Sequence, residues 1–365
     1  MLNKLVVENL KHRPVRTTLG ILAIGLEVTM ILTLAGLSRG MLEDSAQRTR
    51  GIGADVLVRP PGTSVIGLST APISDKMLDF LRKQPHVTFA MGTMVYPLGG
   101  VTTITGLNLD EFEKLSGGFS FTAGGPFTGA GDEVIVDEYY ARQSGVRMGQ
   151  RIEILNRQWR VAGIVRSGKL ARIVVPLGQL QDLTGDNGKL SQIFLKVDQR
   201  ENIPVVVQSL KAKLENYPIY SMEEFISLIS VDNVPGLKAF IGVVIGVGVV
   251  VGFLIVFLST YTAVLERTRE IGILKSLGAT PAFVLNLVFR ETFILVIAGS
   301  LAGIAFSFVT RWAVMTLVPA SLSQAIVPDW WPIAMLISLA GAALGALYPG
   351  LRAARQDPIE ALAYD

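Results

Sequence analysis

The sequence predicts a membrane protein with four transmembrane helices and a large α+β extracytoplasmic domain inserted between helices 1 and 2. Three observations carry this expectation. Half of the 365 residues are hydrophobic and the mean hydropathy is +0.47, more apolar than an ordinary water-soluble enzyme. The apolar residues gather in long runs at the two ends of the chain and leave a middle of mixed polarity. Lysine and arginine concentrate beside those runs, as they do at membrane flanks. A helix is the natural form of such a run in lipid, because it satisfies every backbone N–H and C=O within the segment.

Taken in order, residues 1–16 read as a cytoplasmic interfacial helix. Leu2, Leu5, Val6 and Leu10 fall near helical spacing among Lys4, Lys11, Arg13 and Arg16, and Pro14 marks its end. A cleavable signal peptide is the rival reading; the long basic region and the lack of a clear small-x-small site argue against it. The first transmembrane helix covers 17–41 and is apolar except for Glu27 near its centre. The extracytoplasmic domain covers 42–235. Transmembrane helix 2 follows at 236–258, a cytoplasmic coupling helix at 259–282, helix 3 at 283–310, an outer loop at 311–329, helix 4 at 330–348 and a cytoplasmic tail at 349–365. Arg13 and Arg16, then Arg267, Arg269 and Lys275, then Arg352 and Arg355 share one side of the membrane only if both termini are cytoplasmic.

Within the inserted domain, strands are expected at 55–59, 134–136, 151–155, 158–165, 173–175 and 193–197. Helices are expected at 74–82 with Ser74 as cap, at 204–214 opening on Pro204, and at 221–229, where Ser221 and Glu224 stand in capping-box spacing. The glycine-rich stretch 117–131 reads as loop. Phe112, Phe119, Phe121 and Phe127 have two readings: an apolar ligand-facing surface, or a satellite of the core. Two histidines and no cysteine leave no basis for disulfides, a Cys-ligated zinc or a serine–histidine hydrolase. The net charge of +3 sits at membrane flanks and gives no case for nucleic acid.

Between helices 2 and 3 the sequence becomes dense in charge. Leu265, Ile271, Leu274 and Leu277 define an apolar side; Glu266, Arg267, Arg269, Glu270 and Lys275 define a polar face. Glu266 and Arg269 stand three apart, a spacing that allows local pairing. Gly278 is placed to end the helix in a left-handed conformation. A solvated loop helix accounts for the charge; a docking lever accounts also for its direct attachment to two spans.

This segment resembles the coupling-helix region of the MacB-type, FtsX-like ABC permease family, with its E-R-x-x-E-I-G-x-x-x-A/S-x-G-A run. Glu266, Arg267, Glu270, Ile271, Gly272, Ser276, Gly278 and Ala279 occupy the matching positions. The chain end, from Tyr348 and Pro349 through Asp357, Pro358, Ala361 and Leu362, resembles the family's ending. Asn9 through Ile21 resembles its entry into helix 1, and Arg290, Glu291 and Gly299 also fit. The resemblance implies a dimer of permeases with two separate ABC ATPase subunits docked on the coupling segment, where Glu266, Arg267, Arg269, Glu270, Gly272, Lys275 and Gly278 would transmit their motion. It implies ATP and Mg used by the partner and no cofactor or metal bound by this chain. It also implies a hydrophobic or amphipathic substrate, with a periplasmic adaptor and outer-membrane channel as further partners in some members, in the bacterial inner membrane. No G-x-x-x-x-G-K-[ST] phosphate loop occurs in these residues, so the chain is expected not to hydrolyse ATP itself. The alternative function within the family is activation of an extracytoplasmic cell-wall hydrolase without transport.

Other residues stand out singly. Glu27 is costly in mid-bilayer and invites a substrate contact, a pairing across the dimer or a structural hydrogen bond. Glu291 is placed to pair with Arg13 or Arg16. Small-residue pairs at four-residue spacing, Gly242/Gly246, Gly248/Gly252, Gly299/Gly303 and Gly341/Gly345, permit close helix approach within the chain or between two copies. Trp312, Trp330 and Trp331 read as interfacial anchors.

Overall fold

In the computed structural model, the described residues are 11–63, 72–99, 102–230, 236–317 and 322–357, with Glu8 and Asn233. They divide into two compact units. One comprises residues 1–38, 236–314 and 324–365; the other comprises 39–235 and 315–323.

The first unit is helical. Four helices among the described residues are long and apolar enough to cross a membrane: Pro14–Arg50, Leu237–Glu266, Pro281–Leu317 and Trp330–Arg355. They are called spans 1 to 4 here. Each exceeds the apolar run that announced it. Span 1 begins on Pro14, whose missing N–H costs nothing at a first helical position, and the chain is not helical at Arg13. Most of the interfacial helix expected at 1–16 lies outside the described residues. Span 2 continues eight residues past its expected end, and span 4 runs through Pro349 to Arg355, so the expected tail at 349–365 opens as helix. The end of the tail motif, from Pro358 onward, lies outside the described residues.

Spans 1 and 3 pack through glycine. A Cβ on Gly303 would stand 2.6 Å from the Gly25 carbonyl oxygen and 2.7 Å from Val28 Cβ, and one on Gly299 would stand 2.7 Å from Ile24 Cβ. The close approach lets Thr29 Oγ1 donate both to Gly25 O at 2.7 Å and to Gly303 O at 3.0 Å. Spans 2 and 4 approach at Gly345, where a Cβ would stand 2.8 Å from Phe253 O. Gly341 meets Val249 only at ordinary distance, and Gly242 and Gly246 meet nothing within 4 Å. Those last two glycines therefore pack no helix of this chain among the described residues. The shared core of the bundle includes Ile24, Val28, Ile31, Val256, Val296 and Ala346.

The second unit is an α/β domain. Its main sheet has ten strands in the order β12-β1-β11-β3-β4-β9-β6-β8-β5, with β7 paired to β8. The strands are β1 (Val56–Val58), β3 (Val87–Gly99), β4 (Thr102–Leu107), β5 (Phe121–Gly124), β6 (Glu133–Asp137), β7 (Arg151–Ile154), β8 (Arg157–Val165), β9 (Ile173–Pro176), β11 (Gln192–Val197) and β12 (Ile219–Ser221). A small separate sheet pairs β2 (Ile73–Ser74) with β10 (Lys189–Leu190). β3 is the hinge of the design. Its first half pairs antiparallel with β11, from Val87 to Thr93, and its second half pairs antiparallel with β4, from Met94 to Gly99. One strand of 13 residues thus joins two lobes. In the first, Leu195, Val206 and Leu210 pack around β1 and β11; in the second, Trp159, Val136 and Leu180 pack around β6, β8 and β9.

Several expectations for the domain change. β3, β4 and the helix Leu109–Ser116 replace stretches that had no assigned structure. Phe121–Gly124, expected as loop, is a strand on β8, because backbone pairing does not require large side chains at each position. The helix expected from Ser74 begins at Lys76, and Ser74 ends β2 instead. Ser221 does cap its helix, accepting from Glu224 N at 3.1 Å. Phe112 is fully buried in a core cluster, with Phe119, Phe121 and Phe127 packed against it, so the satellite-core reading applies to them. The buried Glu133 carboxylate is satisfied by the Thr128 hydroxyl, the N–H groups of Thr128 and Gly129, and Arg160. Burial alone would push its pKa up; these donors outweigh it and hold the group below the usual carboxylate range.

Candidate functional site

Span 2 does not stop where its apolar run stops. It carries the charged sequence as regular helix to Glu266, then breaks at Arg267, whose φ of −108° and ψ of 13° end one helix and begin the next, Thr268–Ser276. This second helix is the coupling helix of the sequence reading, shorter than expected. Gly278, at φ +98°, turns the chain beyond it. Glycine reaches that region without the Cβ clash other residues meet.

The break is held by charge. Arg267, expected on a solvated polar face, is buried. Its Nη1 donates to Glu291 Oε2 at 3.1 Å, while Arg16 Nη2 donates to Glu291 Oε1 at 2.6 Å. Each oxygen of one carboxylate thereby receives a guanidinium, one from the first turn of span 1 and one from the break after span 2. Glu291 itself stands about three turns into span 3. Charge-assisted pairs of this kind are the strongest hydrogen bonds available to side chains, and burial makes them costly to half-break. Of the two partners expected for Glu291, Arg16 is the one found. Arg13 instead forms an ion pair with Glu266, which replaces the expected local pairing of Glu266 with Arg269.

The other end of the coupling helix is tied as well. Lys275 Nζ donates to Ala354 O at 3.0 Å and to Gln356 O, satisfying carbonyls at the C-terminus of span 4. Ile271 is buried with Val264, Val284, Ala353 and Ala354 in a small cluster of its own. Leu274 is partly buried, whereas Leu277 is 80% exposed. The residues named for coupling thus fall into two groups. Glu266 pairs with Arg13 just ahead of span 1, Arg267 ties the break to span 3, Lys275 ties the helix to span 4, and Gly272 is buried. Arg269, Glu270 and Gly278 are exposed, with Leu277 beside them. Proximity in sequence had merged these groups; the helical break separates them.

Glu27 lies inside the bundle, 7% exposed. Its carboxyl occupies the space over Gly252 that a Cβ would fill, and Met30 does the same over Gly248. These two glycines of span 2 admit side chains of span 1. Oε1 of Glu27 has no hydrogen-bond partner among the described residues.

A second polar junction lies within the α/β unit. The segment 315–323, from the expected outer loop, belongs to this unit. Tyr139 Oη donates to Leu322 O at 2.7 Å and Gln143 Nε2 donates to Met315 O at 2.9 Å, both from the helix Glu138–Ser144. Arg172 stacks over the Tyr139 ring at 3.9 Å and pairs with Asp44 at 2.7 Å, near the end of span 1. Asp137 caps the same helix by accepting from Tyr140 N at 2.7 Å; burial pushes its pKa up. The sequence places a loop between spans 3 and 4 where it can touch the outer domain, but it does not name the partners, which are separated by up to 183 residues. Among the described residues, no group of three or more acidic, histidine or cysteine side chains is placed to hold a metal ion.

Four helices long and apolar enough to cross a membrane, with an α/β domain inserted after the first and a charged helix following the second, give the class of a multi-pass membrane protein. The family follows from two matches. Residues 17–213, more than half of the chain, match the MacB-like periplasmic core domain, and residues 242–358 match the FtsX-like permease C-terminal domain. The chain belongs to this MacB-like, FtsX-like permease family. It is 30% identical over 235 residues to an ABC transporter permease of Bacillus subtilis, YknZ, covering 60% of this chain and 55% of that one. It is 23% identical over 402 aligned positions to the macrolide export ATP-binding/permease protein MacB of Escherichia coli, covering 99% of this chain and 60% of that one. The chain therefore spans somewhat more than half the length of these relatives. Among solved structures, the periplasmic region of MacB from Actinobacillus actinomycetemcomitans aligns at 14% identity with a TM-score of 0.38, over 49% of this chain and 94% of that one.

Proposed function

We propose that the chain is the permease subunit of an ATP-driven exporter or extractor in the bacterial inner membrane, working as a dimer with two ABC ATPase subunits. Both termini and the coupling helix face the cytoplasm, and the α/β domain lies outside it. The ATPases dock on the exposed residues Arg269, Glu270 and Leu277. Their closure tilts the coupling helix, and the motion enters the bundle through Arg267, Glu291, Arg16 and Lys275. The outer domain then moves a hydrophobic or amphipathic substrate.

The observation that carries this reading is the two-sided construction of the coupling helix: one side buried and fastened to spans 1, 3 and 4, the other exposed and charged. A solvated connector needs no buried arginine bridging two spans. Lipoproteins, glycolipids, haem, peptides and macrolides remain within the substrate class, and an adaptor with an outer-membrane channel belongs to the assembly if the substrate must leave the periplasm. Export in the E. coli relative's name favours transport over activation of a cell-wall hydrolase.

The test is the double reversal Arg269→Glu with Glu270→Arg in the reconstituted complex. Transport is expected to fall at least about tenfold, corresponding to about 1.4 kcal/mol of lost coupling, while dimer assembly and the thermal midpoint of the permease stay unchanged. Unaltered coupling of ATP hydrolysis to transport would remove the docking assignment.

A further inference from the structure

A cavity of about 320 Å³ opens beside the Arg16–Glu291–Arg267 cluster within the helical unit. Leu274, Val288 and Leu295 wall it on one part, and Ser259 and Thr260 of span 2 on another. It combines an apolar wall with a cationic corner. Glu291 is shared by Arg16 and Arg267, so the triad, in which Glu291 and Arg267 are buried and Arg16 part-buried, carries one net positive charge. Glu270 also lines the cavity but is exposed, where solvent and salt screen it.

The decisive atom is Nη1 of Arg16. It is buried and has no hydrogen-bond partner among the described residues, while Nη2 of the same guanidinium is bound to Glu291. A buried donor without an acceptor is costly. A guanidinium is also the side chain best shaped to receive a phosphate, through parallel N–H donors. Arg16 stands in the first turn of a membrane-crossing helix, the depth at which lipid headgroups meet protein.

We propose that this cavity is a binding site for an anionic phospholipid of the adjoining leaflet. Its phosphate is received by Arg16 beside Arg267, and part of an acyl chain lies along Leu274, Val288 and Leu295. The apolar wall distinguishes a lipid from free phosphate, which would gain nothing from it. Because the wall includes the coupling helix, an occupied site braces that helix against spans 1 and 3. The inference rests on the membrane reading above and is independent of any transported substrate.

The test uses the full chain in nanodiscs of mixed phosphatidylcholine and phosphatidylglycerol, with the lipids retained after detergent extraction counted by native mass spectrometry. Phosphatidylglycerol is expected to be enriched over phosphatidylcholine about tenfold, equivalent to about 1.4 kcal/mol. Arg16→Gln is expected to reduce the enrichment to near parity. Ser259→Trp, which fills the cavity from span 2 without touching a charge, is expected to do the same and keeps the test valid if the arginine variant misfolds. Inorganic phosphate is expected not to displace the lipid. Absence of enrichment in the parent chain, enrichment that survives the cavity-filling variant, or displacement by inorganic phosphate would each overturn the proposal. None of these readings involves ATP hydrolysis, so their failure is distinct from failure of the transport reading.

Discussion

Glu291 shows how much one buried residue can organise. It lies on span 3, yet the two arginines it receives come from the start of span 1 and from the break that follows span 2. Removing its charge leaves the buried Arg267 and the part-buried Arg16 without their shared carboxylate, and stripping a buried charge of its partner costs about 3–5 kcal/mol. Glu291→Arg is therefore expected to abolish folding of the helical unit, read as loss of the monodisperse peak in size-exclusion chromatography. Adding Arg16→Glu is expected to restore it in part, because the introduced carboxylate at 16 can pair with the introduced arginine at 291, although Arg267 then faces that arginine. No recovery in the double variant would show that the triad does not act as a unit. Sequence reasoning reached the Glu291–Arg16 pair because topology put both near one end of their spans. It missed Arg267, since the 3.6-residue pattern was carried unbroken through the helical break and placed that side chain on the solvated face.

Among the elements, the glycine pairs separate by what faces them. Gly303 abuts a backbone carbonyl of span 1, which cannot move aside, whereas Gly242 has nothing within 4 Å. Gly303→Ala is expected to destabilise the helical unit by about 2 kcal/mol, as overpacking does, seen as a lower midpoint in a thermal melt in detergent. Gly242→Ala is expected to leave the midpoint of the isolated chain unchanged. Equal effects would show that spans 1 and 3 do not pack as described. Small residues at four-residue spacing were plain in the sequence, but the spacing is the same whichever neighbour is present. In the domain, Leu109–Ser116 was legible in principle. Asn108 accepts from the N–H groups of Asp110 and Glu111 and Gly117 adopts φ +73°, a cap and a stop in the usual residue types. β3 was harder, since its 13 residues are paired on two sides by different partners and so show no single alternation.

Across the whole molecule, the membrane reading has a direct consequence. The chain has no native cysteine, so a single introduced thiol reports its own location. In intact cells, a cysteine at Ser276 on the coupling helix is expected to resist a membrane-impermeant maleimide, and one at Thr122 on β5 is expected to react. Labelling of both from the same side would defeat the topology. The same scale holds the junction of Tyr139 and Gln143 with the segment 315–323. It accompanies the assignment of residues 315–323 to the α/β unit, while the rest of the connection to span 4, from Gln324, belongs to the helical unit.

Residue order alone was enough for the number and order of the spans, the inserted α+β domain and the position of the charged helix between spans 2 and 3. Those follow from local terms: the length of apolar runs, the placement of charge at their flanks, and capping residues that act within a few positions. Packing in three dimensions settled which side of that helix is buried, that Arg267 and Arg16 share Glu291, and that Gly252 makes room for Glu27. Each is an encounter between residues on different helices or on either side of a helical break. It depends on distance in space, and a periodicity along one segment carries no information about the segment packed against it.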